Sequence, residues 1–401
     1  MPLNAADNAR LTLIERGAPM GRYLKATQWF PAVVSCALLA GEPPYAVRLL
    51  GENYVAFRAS DGRVGFFDEG CPHRGASLLL ARNEDNALRC IFHGWKFRVD
   101  GVTVEAPTQA RDRAEFCRRV PLRHYPTHEA AGIVWVWLGG GAPAPLPDYE
   151  FMQFTGEHIW TVRSIQDFNW LQSIEGLVDS AHVSILHQDW IAKMSNNPTL
   201  ANAAFDAAPV YEFDDRPNGF RYAGIRHAEG DRRYIRVTEY ARPWFCFIPS
   251  DQGACFMPVP IDDEHTAFWA IRYDATRPIA DSPWKPAPDP MNWPPPLPGG
   301  RAERWGQNRA QMKRGSFSGF DQHFLHEDLA VAASQGIIAD RSKEFLNAGD
   351  AAVVRMRKDL LATLDDFESS GPRPAVPSAL RIKAGQLLLG PDVDWRAQPI
   401  P

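Results

Sequence analysis

The sequence predicts an α+β protein of two domains: an N-terminal antiparallel β domain, then a larger domain with an antiparallel sheet and several helices. Three observations predict it. A chain of 401 residues is too long for one hydrophobic core. The first third consists of short β-prone runs separated by glycine turns, whereas a long apolar stripe at helical spacing starts near Ser164. Between them Gly139–Pro147 holds three glycines and three prolines in nine residues and reads as a linker.

In chain order, Ala5–Gly17 reads as a helix within a lead segment, residues 1–26. In the first domain, 27–138, strands are expected at Ala46–Leu50, Asn53–Arg58 and Arg63–Asp68, with turns at Gly51-Glu52 and Asp61-Gly62. Ala87–Ile91, Trp95–Val99 and Val102–Val104 follow, and Ile133–Leu138 closes the domain. After the linker, 139–149, the second domain, 150–370, opens with a strand at His158–Arg163 and a helix from about Ser164. A sheet is expected from Tyr211–Asp214, Phe220–His227, Tyr234–Tyr240, Trp244–Ile248, Gly253–Val259 and Thr266–Tyr273. Thr276–Gly300, with nine prolines, reads as an irregular excursion that covers a pocket or packs between subunits. Helices are expected at Ala302–Arg314, Asp321–Gln335, Ser342–Leu346 and Asp350–Phe367, the last capped by Asp350, before a C-terminal extension, 371–401.

Composition narrows the function. A net charge of −5 with both signs interspersed argues against a nucleic-acid partner. Six cysteines are too few for a disulfide framework and suit a reduced, cytoplasmic setting. The apolar run Phe30–Gly41 is broken by Pro31 and falls short of the about 18 residues that span a bilayer, and no signal peptide is expected.

Chemistry is concentrated in two places. Cys71-Pro72-His73 and Cys90-Ile91-Phe92-His93 are separated by sixteen residues. Two thiolates for one iron and two imidazoles for the other are what a Rieske [2Fe-2S] cluster needs. The rival is a structural zinc site, which usually pairs cysteine with cysteine and histidine with histidine; here each pair is mixed. The second place is the stripe Ile165, Phe168, Leu171, Ile174, Val178, Ala181 and Ile185, with Glu175, Asp179 and His182 beside it and His187 beyond. Asp179, His182 and His187 suggest a mononuclear metal. Five residues of regular helix rotate by about 140°, so the helix is expected to loosen or end between the two histidines.

Both motifs together, with Asn169-Trp170-Leu171-Gln172, Glu175-Gly176 and Asp179-Ser180-Ala181-His182, resemble the oxygenase (alpha) component of Rieske non-haem iron ring-hydroxylating oxygenases. The phthalate dioxygenase-like branch, with its aryl-carboxylate dioxygenases and aryl-ether O-demethylases, is the nearest match. The resemblance runs from Gly17-Ala18-Pro19-Met20-Gly21 to the helix near Leu361. It implies a Rieske β domain and a helix-grip (START-like) catalytic domain. It implies a [2Fe-2S] cluster on Cys71, His73, Cys90 and His93, and mononuclear Fe(II) on His182, His187 and a carboxylate from a late helix. His326-Glu327-Asp328-Leu329 supplies Asp328, with Asp321, His323, His326 and Glu327 as rivals. Asp179 is then the bridging residue for electron transfer, accepting from His182 and, across a subunit boundary, from His93.

Dihydroxylation of an aromatic carboxylate with O2 is the implied reaction. O-demethylation of an aryl ether is the alternative, and a Rieske electron carrier the distant one. The implied partners are a reductase carrying a flavin and a plant-type [2Fe-2S] cluster, since no G-x-G-x-x-G follows a strand. The implied assembly is a homotrimer or a pair of trimers. Phe245, Phe247, Phe256 and Trp269 are expected to line the pocket. Among Arg226, Arg236, Arg242 and Arg272 of the sheet region, Arg226 and Arg236 are the candidates for holding an anionic substrate.

Overall fold

The computed structural model describes residues 2–120, 122–193, 199–279, 289–373, 382 and 384–400. The chain divides into two compact units, Leu24–Leu146 and Met1–Tyr23 with Pro147–Pro401. It opens with α1 (Ala5–Thr12), whose N-cap Asn4 accepts from the Asp7 N–H, and α2 (Pro19–Thr27). The leading helix therefore stops at Thr12, short of Gly17.

The Leu24–Leu146 unit is built from β1 (Trp29–Val34), β2 (Tyr45–Leu49), β3 (Glu52–Arg58), β4 (Val64–Asp68), β5 (Arg82–Glu84), β6 (Ala87–Arg89), β7 (Lys96–Arg98) and β8 (Thr103–Glu105). A short helix α3 (Arg113–Arg119) and the strands β9 (Thr127–Ala130) and β10 (Ile133–Trp137) complete it. The strands form three antiparallel sheets, β1-β10-β9, β2-β3-β4 and β5-β6-β7-β8. Val55, Phe57, Phe67, Leu88 and Phe97 fill the core between them, and Cys71 and Cys90 pack at its edge. The Trp29 indole N–H donates to Ala144 O at 2.7 Å, which ties the glycine- and proline-rich run to this unit.

In the other unit the elements are β11 (Ile159–Gln166), α4 (Trp170–Val178), α5 (Gln188–Lys193), β12 (Val210–Arg216), β13 (Gly219–Ala228), β14 (Arg232–Ala241), β15 (Phe245–Phe247), β16 (Gly253–Pro260) and β17 (Thr266–Tyr273). They are followed by α6 (Arg309–Lys313), α7 (Leu325–Ser334), α8 (Ala351–Ser370) and β18 (Gly385–Leu389). One eight-stranded sheet runs β11-β17-β16-β15-β14-β13-β12, and β18 pairs along β14 beside the short β15. Residues 371–401 thus include a sheet strand rather than forming only an extension.

Four expectations differ in detail. Ser164 lies in β11, which pairs along its whole length with β17; α4 begins later, where Asn169 caps it by accepting from the Leu171 N–H. Ser342–Leu346 is a single tight turn, Arg341–Lys343, and of Ala302–Arg314 only α6 is α-helical. Asp350 does not cap α8, because its carboxylate accepts from the Asn347 N–H of the preceding turn. Of the proline-rich excursion, residues 280–288 lie outside the described residues, while its Trp293 and Pro294 border a cavity of this unit. Among the described residues no helix is long and apolar enough to cross a membrane.

Candidate functional site

The two cysteine–histidine loops are near copies. Each is a turn closed by a glycine N–H onto the cysteine carbonyl, Gly75 to Cys71 at 2.8 Å and Gly94 to Cys90 at 2.9 Å. The glycines sit at φ +72° and +74°, a region open to glycine at little cost. The cysteines are buried, and burial with the adjoining Cys90 thiol pushes the Cys71 thiol up to about 11, against backbone N–H groups of His73 and Arg74 that favour the thiolate. The imidazoles of His73 and His93 meet edge to face at 4.4 Å, and Trp95 stacks on His73 at 4.5 Å. In both histidines Nδ1 is buried without a hydrogen-bond partner. Two adjacent thiols and two unpartnered imidazole nitrogens fit a cluster that takes two thiolates and two imidazoles.

The second site lies where α4 ends. Asp179 leaves the helix in an extended conformation and its carboxylate accepts from the Ala181 N–H at 2.7 Å. A single turn, His182–Ser184, follows, and α5 starts at Gln188, so no continuous helix joins the two histidines. The expected break is there, and both imidazoles turn to one point. His182 Nε2 and His187 Nε2 lie 3.5 and 3.3 Å from Asp328 Oδ1, and ligand atoms of the three residues all fall within 4.8 Å of one another. Each Nδ1 faces a carboxylate: His182 meets Asp179 Oδ2 at 3.2 Å, and His187 meets Glu327 Oε2 at 2.6 Å. Burial alone lowers the His187 pKa, but Asp328 and Glu327 reverse this and raise it to about 9. Two imidazoles and a carboxylate around one point can hold a divalent iron with positions left open.

The rivals of Asp328 go elsewhere. Asp321 is exposed, His323 Nδ1 accepts from the Leu325 N–H, and His326 Nε2 bonds Pro295 O. Glu327 sits behind His187, a partner that spacing alone did not reveal. The signal was its adjacency to Asp328, since consecutive helical residues point about 100° apart.

A cavity of about 690 Å³ opens on this cluster. Phe256 lines it, but Phe245, Phe247 and Trp269 do not: Phe245 and Phe247 pack on Tyr149, and Trp269 lies beneath Arg163. Pleat parity is the reason, because neighbours along a strand face opposite sides. Arg226 is also misplaced as a substrate group. It is buried behind the segment that carries His182, donating to Ser184 Oγ at 3.0 Å and to Ser180 Oγ and O, and is not among the lining residues. Arg236 does line the cavity, as does Arg272; Arg242 pairs instead with Asp359 at 2.9 Å.

Comparison with known proteins agrees with this geometry. Residues 28–126 match the Rieske [2Fe-2S] domain family and 141–399 the family described as "LigXa C-terminal domain like". The chain is 34% identical to the phthalate 4,5-dioxygenase oxygenase subunit of Pseudomonas putida, over 98% of this chain and 94% of that one. It is 33% identical to the 3-chlorobenzoate-3,4-dioxygenase oxygenase subunit of Comamonas testosteroni, over 97% and 96%. In fold it resembles the oxygenase in the reduced oxygenase–ferredoxin complex of carbazole 1,9a-dioxygenase, with a TM-score of 0.56, 19% identity and coverage of 88% and 93%. The chain belongs to the Rieske non-haem iron oxygenases, as the terminal oxygenase component of a multicomponent system that carries a Rieske [2Fe-2S] domain and a catalytic iron domain.

Proposed function

We propose that this oxygenase dihydroxylates an aromatic carboxylate, with the cluster on Cys71, His73, Cys90 and His93 and Fe(II) on His182, His187 and Asp328. The observation that carries the substrate class is the cavity wall: Phe168, Leu177, Phe256 and Phe268 offer apolar surface, while the cations Arg236 and Arg272 face the same space. Arg236 is 9% exposed and forms no ion pair among the described residues. A buried guanidinium left without a carboxylate suits a carboxylate brought by the ligand, held by two parallel N–H bonds. The volume is within the about 300–1,000 Å³ usual for small-molecule sites.

When bound, the two metal groups supply O2 activation and one electron each, so that arene, O2, two electrons and two protons become a cis-diol. The chain's residues do the rest. Arg236 orients the ring against the cluster of ligands, and the aromatic wall excludes water. Asp179 holds the His182 Nδ1 proton. With His93 Nδ1 committed to the cluster, its Nε2–H is free to reach Asp179 of a neighbouring copy.

A head-to-tail homotrimer, single or stacked in pairs, satisfies that contact. The Rieske tip exposes Ile91, Phe92 and Leu80, and Asp179 keeps 24% of its side chain exposed. Residues 24–146 hold fourteen Lys and Arg against twelve Asp and Glu, in a chain of net charge −5, so the negative balance lies in the rest of the chain. A cytoplasmic reductase with a flavin and a plant-type [2Fe-2S] cluster supplies the electrons; every cysteine of the chain is free of disulfides.

The test is O2 uptake by the purified chain with a surrogate reductase, across benzoates, phthalates and methoxybenzoates. One diol per O2 from a carboxylate is expected. Formaldehyde from methoxybenzoates without diol from any carboxylate would replace dihydroxylation by O-demethylation, and uptake indifferent to the carboxylate would remove Arg236 from its role.

A further inference from the structure

His187 is gripped from both sides by consecutive residues of α7. Asp328 Oδ1 lies 3.3 Å from Nε2, and Glu327 Oε2 lies 2.6 Å from Nδ1. Glu327 is fully buried, and its second oxygen accepts from the Ser318 hydroxyl. Residues 316–320 are fastened to the segment that carries His187 at three more points. Asp189 Oδ2 accepts from Ser316 Oγ at 2.7 Å and from the Phe317 N–H at 2.8 Å, and the Trp190 indole donates to Phe320 O at 3.1 Å. The contrast with His182 is plain. Its carboxylate, Asp179, is part exposed, sits farther away at 3.2 Å and also serves two backbone N–H groups.

We propose that Glu327 is the positioning residue that fixes the His187 imidazole with Nε2 toward the metal, braced through Ser318. The inference rests on the assignment of the iron to His182, His187 and Asp328. It divides the work between the two carboxylates: the buried one serves its ligand alone, whereas the part-exposed one, which faces His182, is also open to a neighbour. A metal-bound imidazole needs its other nitrogen held to fix the ring's orientation and tautomer. Among the described residues, Glu327 is the hydrogen-bond partner of His187 Nδ1.

The test uses the full chain with its Rieske cluster intact, stripped of mononuclear iron and titrated with Co(II), followed by the visible absorption of the bound ion. Glu327→Ala should weaken Co(II) binding roughly 10–100-fold, the range for lost outer partners of metal ligands. Glu327→Gln, which keeps an acceptor for Nδ1–H and a group for Ser318, should bind nearly as the parent does and with its spectrum. Wild-type affinity in Glu327→Ala overturns the proposal, as does a Glu327→Gln variant as weak as the alanine. Should Glu327→Ala fail to fold, Ser318→Ala gives the decision: weaker Co(II) binding supports the brace and unchanged binding overturns it. His182→Ala separates the two levels. Unimpaired Co(II) binding there would remove the iron assignment itself, whereas its loss beside an unaffected Glu327→Ala would remove only this inference.

Discussion

His73 and His93 meet edge to face at 4.4 Å with each Nδ1 buried and unpartnered, whereas His182 and His187 lie 5.0 Å apart with each Nδ1 held by a carboxylate. On the proposed assignment the same side chain is presented to metal through different nitrogens. In the loops, two cysteines can supply negative charge and two glycine turns hold the ligands, so no carboxylate is needed behind the imidazoles. Around the second site a single carboxylate, Asp328, faces both Nε2 atoms, and orientation comes from Asp179 and Glu327 outside. Backbone turns fix one site and side-chain carboxylates the other, so the two should fail separately.

The largest effects come from removing a ligand. His93→Ala leaves one cluster iron short of a donor, and the Rieske EPR signal should vanish or shift strongly; a wild-type signal would reject the loop assignment. Asp328→Ala should do the reverse, keeping that signal while mononuclear iron and product are lost. If Asp328→Ala turns over normally while Glu327→Ala does not, the carboxylates have exchanged roles.

Next in size is Asp179→Asn. Both metal sites should remain filled, because Asp179 faces a ligand rather than the metal, yet reduced clusters should persist with substrate and O2 present. Native mass spectrometry should give a trimer or its double. An active monomer would exclude a neighbour's His93 as partner, and full turnover in Asp179→Asn would exclude the bridge.

The smallest effect is on stability. Glu175 is clamped by Arg341, at 2.7 Å through both oxygens, and by Arg357 at 2.6 Å, and Arg357 also pairs with Glu344. Burial favours the protonated acid, but the two guanidiniums outweigh it and hold Glu175 below its ordinary value of 4.5. A lowered folded pKa means that the stabilisation is complete above that value and fades as pH falls through the folded one. Glu175→Ala leaves the buried Arg341 without a carboxylate, while Arg357 keeps Glu344, and should cost roughly 3–5 kcal/mol in denaturant unfolding at neutral pH, with a smaller difference in acid. Equal midpoints at neutral pH would show the network to be inert.

The comparison also explains what was legible in the sequence. Ligands on tight turns leave a local signature, so Cys71, His73, Cys90 and His93 stand out by spacing and fall on one site. His182 and His187 were visible with Asp179 because one short segment carries all three. Groups that meet through the fold were not. Glu327 reads as a rival ligand to Asp328 until α7 is set against His187, and Arg226 as a candidate substrate cation until Ser180 and Ser184 are set against it. Trp269 and Phe245 were placed on the wrong face because alternation tells which residues share a side, not which side is the cavity. The strand β18 lies far from β14 in sequence, and five residues carry too little pattern to predict the pairing.

One measurement addresses the central claim, that a single chain holds two iron centres of independent construction. Iron per chain and the Rieske EPR signal are recorded before and after mild chelation, then again after Fe(II) is restored. The account predicts three irons falling to two with the signal unchanged, turnover lost, and turnover recovered with the third iron. A Rieske signal that disappears together with the chelated iron, or full turnover at two irons per chain, would contradict it.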